Sequence, residues 1–207
     1  MIDLYFFTTA NGYKARLMLE ELELPYALHL VELPKSQHLS EAYRKVSPSH
    51  KIPTIIDSDG PGGGPVTIIE SGAILRYLAA KTSSPLLPSD PVAALQMEQW
   101  FNYALSTFAM TLTQLGTFLG RFPEDLPSVK KFYADLALDH YQVINSHLAG
   151  RDYFAGDYSL ADIATYTYVR THEFHQIPLA DFPEVNRWFD AISERPAVAR
   201  AYAPVQG

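Results

Sequence analysis

Lys51-Ile52-Pro53-Thr54, followed after a gap by Glu70-Ser71-Gly72, is the stretch on which the fold turns. A proline between an apolar residue and a short β-branched run is a candidate cis-proline opening a strand. Thr54–Asp57 reads as that strand, and Val66–Ile69 as a second. The loop between them, residues 58–65, is rich in Gly and Pro and reads as a long hairpin connection. It lacks the Gly-Lys-Ser/Thr ending of a phosphate loop. Glu70-Ser71-Gly72 stands where the second strand hands over to a helix. Together these elements outline a groove for a small peptide-like anion.

Outward from this stretch, strands and helices alternate over the first 80 or so residues. Asp3–Phe7 is short, apolar and aromatic, so it reads as a strand. Thr8-Thr9-Ala10-Asn11-Gly12 is a polar break. Ala15, Met18, Leu19 and Leu22 then mark one helix face. Leu24-Pro25 closes that helix. Ala27–Leu33 reads as a strand, Leu39–Val46 as a short helix, and Ser71–Lys81 as a helix with Ile74, Leu75 and Leu78 inward. Residues 82–89 form a linker. Beyond it, Met97, Trp100, Phe101, Ala104, Leu105 and Phe108 keep helical spacing. So do Leu136, Ala137, Tyr141, Ile144 and Leu148, and later Val185, Trp188, Phe189 and Ile192. Residues 1–81 are therefore expected to form one domain and 90–207 an all-helical second. Ser159-Leu-Ala-Asp162 is a helix-capping signal, which accounts for both polar residues without catalysis.

Composition narrows the function. With 47% hydrophobic and 19% charged residues the chain can bury a sizeable core. A net charge of −7 argues against nonspecific nucleic-acid binding. There is no cysteine, hence no disulfide, no thiolate metal site and no cysteine nucleophile. No metal site is expected. The N-terminus lacks the basic start of a signal peptide, and no segment matches a membrane span. A soluble, cytoplasmic protein without nucleic-acid or membrane partners is the expectation.

In this order and at these separations, Thr9-Ala-Asn11-Gly12-Tyr-Lys14, Lys51-Ile52-Pro53, Glu70 to Leu78 and Ser159-Leu-Ala-Asp162 make the chain resemble a cytosolic-type glutathione transferase along nearly its whole length. The first segment is most similar to the nu-class bacterial enzymes and their fungal prion-regulator relatives, which are associated with glutathione-dependent disulfide reduction. One departure is Ala10, where the bacterial relatives commonly carry proline. The resemblance implies a thioredoxin-like α/β domain joined to an all-α bundle, and a homodimer. It implies glutathione as co-substrate, with a small electrophile or a disulfide as its partner. The activity implied is transfer, disulfide reduction or peroxidase chemistry. An isomerase or dehalogenase on the same scaffold, or a non-catalytic glutathione-binding module, are the alternatives.

The implied roles fall on particular residues. Glutathione's thiol is mostly protonated at neutral pH, so a protein helps by donating to sulfur near a helix N-terminus. Thr9 and Asn11 are the candidate donors, and a plain turn and cap is the competing account of both. Thr8 is a second donor candidate and Tyr5 a third. Ile52, before Pro53, would pair with the cysteinyl backbone like an added strand. Glu70 would take the ammonium and Ser71 the γ-glutamyl carboxylate. Lys51 and His38 would face the glycyl carboxylate. Lys14 reads as a solvated helix residue. An electrophile pocket is expected between the two domains, with Tyr103, Phe108, Met110, Phe118 and Arg121 as wall candidates. Core packing explains the apolar ones equally well. Arg121 or Lys131 would reach a second carboxylate.

Overall fold

The computed structural model describes residues 1–205. The chain divides into two compact units. One comprises residues 1–84 together with the segment from Arg195 onward, and the other residues 85–194.

The first unit is built on a four-stranded mixed sheet of order β2-β1-β3-β4. Its strands are β1 (Ile2–Phe6), β2 (Tyr26–Leu30), β3 (Thr54–Asp57) and β4 (Val66–Ile69). β1 and β2 run parallel, joined by helix α1 (Ala10–Glu21). β3 is antiparallel to both β1 and β4. Short helix α2 (Glu41–Val46) precedes β3, and α3 (Ser71–Lys81) follows β4. This is the thioredoxin-like α/β arrangement that the resemblance implied. Ile2, Leu4 and Phe6 alternate inward along β1, as a half-buried strand requires. The Gly- and Pro-rich segment closes the β3–β4 hairpin. Its Gly60 N–H donates to the carbonyl of Gly64 at 2.8 Å.

Several local boundaries differ from expectation, β1 by one residue at each end. α1 starts at Ala10, inside the segment read as a polar break, because Thr9 caps it. β2 ends at Leu30, not Leu33, since its partner β1 ends at Phe6. Residues 33–35 and 37–39 are 3-10 turns instead, and α2 starts at Glu41, not Leu39, because Ser40 caps it.

The second unit holds α4 (Pro91–Tyr103), a π-helical turn (Ala104–Phe108), α5 (Ala109–Gly120), α6 (Pro127–Leu148), α7 (Leu160–Val169) and α8 (Pro183–Ser193). Its core is aromatic, with Phe101, Phe108, Tyr141, Tyr166 and Trp188 fully buried. The final helix, α9 (Pro196–Ala201), packs instead on α1 of the first unit. The expected helical domain of residues 90–207 therefore loses its last segment. The cause is electrostatic and aromatic. Arg195 makes a two-pronged ion pair with Glu21, both contacts at 2.7 Å. Arg200 pairs with Glu20 at 2.8 Å, and Tyr202 stacks on Tyr13 with ring centroids 4.0 Å apart. Among the described residues, no helix is long and apolar enough to cross a membrane.

Asp162 organises the second unit. It is fully buried. Its carboxylate accepts from the backbone N–H and hydroxyl of Ser159 (3.0 and 2.9 Å), the N–H of Phe154 (3.2 Å) and the indole N–H of Trp188 (2.9 Å). The capping box read from Ser159 and Asp162 is present. Burial raises the Asp162 carboxyl from 3.8 to about 6, although all four donors pull the other way. Folding thus takes up a proton between those values, and this group's contribution to stability falls as pH rises through them. Ser159→Ala is expected to cost about 1 kcal/mol. Asp162→Ala is expected to cost about 3 kcal/mol, because it strips four buried donors of their acceptor. In urea denaturation the double variant should lose less than the sum of the two, since the sites share a bond.

Candidate functional site

The sheet register brings the predicted site residues to one end of the first unit. Thr54 pairs with Tyr5 on one side and with Ile69 on the other. The exit of β1, the entry to β3 and the exit of β4 therefore lie side by side, about 5 Å apart per strand. β2 runs parallel to β1 and leaves at the same end. Four connections gather there. They carry Thr8 to Asn11, His38, His50 to Pro53, and Glu70 with Ser71. Helices α1 and α3 both begin there, so two helix N-termini share one end of the sheet. Such ends favour anions.

At the start of α1, Thr9 Oγ1 accepts from the Gly12 N–H at 3.1 Å. The cap uses an oxygen lone pair and leaves the hydroxyl proton available to donate. Capping and donation are thus compatible, and the two accounts of Thr9 need not compete. Gly12 is required by space. A Cβ there would lie 2.1 Å from the Phe7 carbonyl oxygen. Only glycine lets the first turn of α1 pass so close beneath the loop. Thr8 is exposed. Tyr5 lies within the strand, stacked on His29 at 4.8 Å.

Lys14 overturns its expected solvation. It is 1% exposed. Its Nζ donates to Asn11 Oδ1 at 3.0 Å. Burial pulls its pKa from 10.5 down to about 7, and the Glu70 carboxylate opposes that fall. The surface reading failed because α1 is covered by β1, α3 and α9, so Lys14 to Leu19 are buried in succession. The one legible hint was its position within the Thr9–Lys14 segment.

The Ile52–Pro53 peptide is cis, as the sequence suggested. β3 pairing begins at Thr54, so Ile52 lies outside the ladder. Lys51 is exposed. Its carbonyl is held by the Tyr43 and Ser47 hydroxyls at 2.8 and 3.0 Å. The Nδ1 atoms of His38 and His50 are buried without a hydrogen-bond partner. Sequence reasoning missed His50, which carries no motif beyond standing next to Lys51.

Glu70 has φ 68°, in a region that favours glycine. Strain of this kind persists where the surroundings over-determine the backbone, often at ligand sites. Its carbonyl accepts the Ile74 N–H at 3.0 Å and so starts α3. Ser71 follows at the first helical position, 8% exposed.

In the second unit, Phe108 is core, fully buried against Tyr141. Met110 is exposed. Phe118 stacks on Tyr133, Tyr103 bonds His140 at 2.8 Å, and Arg121 donates to Thr117. Lys131 is engaged by Asp135 at 2.8 Å.

The geometry can be set against known proteins. Residues 10–81 match the glutathione S-transferase N-terminal domain, and residues 135–196 match the C-terminal domain. The chain belongs to the glutathione S-transferase family. It is 37% identical to the disulfide-bond oxidoreductase YfcG of Escherichia coli, over 100% of this chain and 96% of that protein. A Pseudomonas putida glutathione transferase, solved with one glutathione disulfide per subunit, superposes with a TM-score of 0.93 at 34% identity, covering 99% of this chain and 92% of that one. A Burkholderia graminis glutathione transferase, solved with two glutathione molecules per subunit, superposes at 0.92 with 36% identity, covering 100% and 89%. Both family halves fall on the expected α/β and helical parts of this chain.

The backbone at Glu70 gives a test independent of ligand. Glu70→Gly is expected to be more stable than Glu70→Ala by about 1 kcal/mol, the reverse of the usual order, because glycine relieves the positive φ. Urea denaturation of the two variants measures the difference.

Proposed function

We propose that this protein binds glutathione at the shared sheet end and uses its thiolate to reduce disulfides. The observation that carries this reading is the convergence of Thr9, Asn11, Ile52, Glu70 and Ser71 at two helix N-termini, set by the register of Thr54. The thiolate would lie at the start of α1, receiving the Thr9 hydroxyl and the Asn11 amide. The Ile52 backbone would pair with the cysteinyl residue. Ser71 and the α3 N-terminus would hold the γ-glutamyl carboxylate, with Glu70 on the ammonium. Lys51 and His38 would face the glycyl carboxylate, beside His50.

The chain has no cysteine, so the sulfur chemistry belongs to the ligand. Bound glutathione thiolate attacks one sulfur of a disulfide. A mixed disulfide forms and the other half leaves as thiolate. A second glutathione thiolate then releases the first half and forms glutathione disulfide. The relatives named as disulfide-bond oxidoreductase, and the one solved with glutathione disulfide, support this route. Such chemistry suits the cytoplasm, where glutathione is kept reduced. A homodimer is part of the same reading: α4 exposes Val92 and Leu95, 65% and 59% accessible, an apolar strip that a second copy would cover.

Thr9 acts as a donor, not a nucleophile. Thr9→Ala is expected to lower turnover about 100-fold, in the range of removing one oxyanion donor. Glutathione affinity should change little, and Thr9→Ser should retain most activity. Steady-state disulfide reduction paired with glutathione calorimetry checks this. Equal turnover in Thr9→Ala and wild type would remove the assignment.

A further inference from the structure

Lys14 is a positioning residue: we infer that its buried amine fixes the orientation of the Asn11 amide so that the amide nitrogen, not the oxygen, faces the ligand sulfur. The inference rests on the glutathione reading above and adds a residue that reading does not use.

An asparagine side chain is nearly symmetric in shape and opposite in polarity at its two ends. Turned one way, Asn11 offers two N–H donors to a sulfur at the start of α1. Turned the other way, it offers a carbonyl oxygen, which would repel a thiolate. Nothing in the local helix selects between the two. The selection comes from behind. Lys14 lies one turn along the same helix, and its Nζ is 3.0 Å from Asn11 Oδ1. In its charged form, which the Glu70 carboxylate favours, the ammonium is a donor with no acceptor, so the amide oxygen faces it. The Asn11 nitrogen is then directed away from Lys14. The Lys14 end of the contact is sheltered from water, because Lys14 is 1% exposed. Glu70, at the start of α3, favours the charged form of Lys14.

The geometry also gives a role to a lysine in so buried a position. An aliphatic side chain of similar length would fill the space at lower desolvation cost. It would leave the Asn11 amide free to turn.

The test measures the pKa of the thiol of enzyme-bound glutathione by ultraviolet thiolate absorbance across pH. Lys14→Met, close in length and apolar, is expected to raise that pKa by about one unit, a tenfold loss of thiolate at a pH below both values. Turnover should fall in proportion while glutathione affinity from calorimetry stays within about threefold. Lys14→Gln, which keeps an N–H donor, should lie between Lys14→Met and wild type. In an Asn11→Ala background, Lys14→Met should cause no further shift. Asn11→Asp still accepts from Lys14 but has no amide donor, so it should raise the thiol pKa even if Lys14→Met fails to fold. An unchanged thiol pKa in Lys14→Met or in Asn11→Asp overturns the inference. So does an equal Lys14→Met shift with Asn11 already removed. A wild-type protein that shows no bound thiolate overturns the glutathione reading itself, and the inference with it, which separates the two failures.

Discussion

Thr54 sits between two antiparallel partners, Tyr5 and Ile69, and this double pairing is what every part of the candidate site depends on. A slip of one residue on either side would turn the inward side chains of β3 outward. It would also separate the ends of β1 and β4, from which the loops leave. With the register held, two helices start at neighbouring points. The positive ends of their backbone dipoles lie within the reach of one small anionic peptide. The site is thus a property of strand alignment first and of side chains second.

The alignment alone would not hold α1 at the required depth. Gly12 lets its first turn run beneath the Phe7 carbonyl. At the other end of the helix, Arg195 and Arg200 grip Glu21 and Glu20. α1 is therefore clamped between sheet, α3 and α9. This cover makes its middle dry, and it turns Lys14 from a surface cation into a buried donor. Burial opposes the charge on Lys14, the Glu70 carboxylate opposes that loss, and the Asn11 oxygen takes up the donor. The second unit solves a similar problem with the opposite charge. There, one fully buried carboxylate is surrounded by four donors. In both places a buried ionisable group is hydrogen-bonded to the polar groups around it.

Several elements were legible from local signals. Thr54–Asp57, Val66–Ile69 and Ser71–Lys81 fall where the β-branched runs, the Gly- and Pro-rich loop and the helical spacing put them. The cis Ile52–Pro53 bond and the Ser159–Asp162 box followed from residue types at fixed offsets. The start of α1 was misjudged because Asn11 and Gly12 are poor helix formers. The structure keeps them helical through the Thr9 cap and the tight fit at Gly12. β2 stopped short of its apolar run because a strand lasts only as long as its partner.

The sequence by itself determined the alternating elements of the first unit and the helical character of the second. These are carried by neighbours along the chain, where periodicity and turn chemistry act. Only tertiary structure decided that α9 belongs with α1, that Lys14 is dry, and that His38 and His50 each keep a ring nitrogen unpaired. Burial depends on what lies across a gap, and Arg195 and Arg200, which tie the C-terminal segment to α1, are more than 170 positions from their partners.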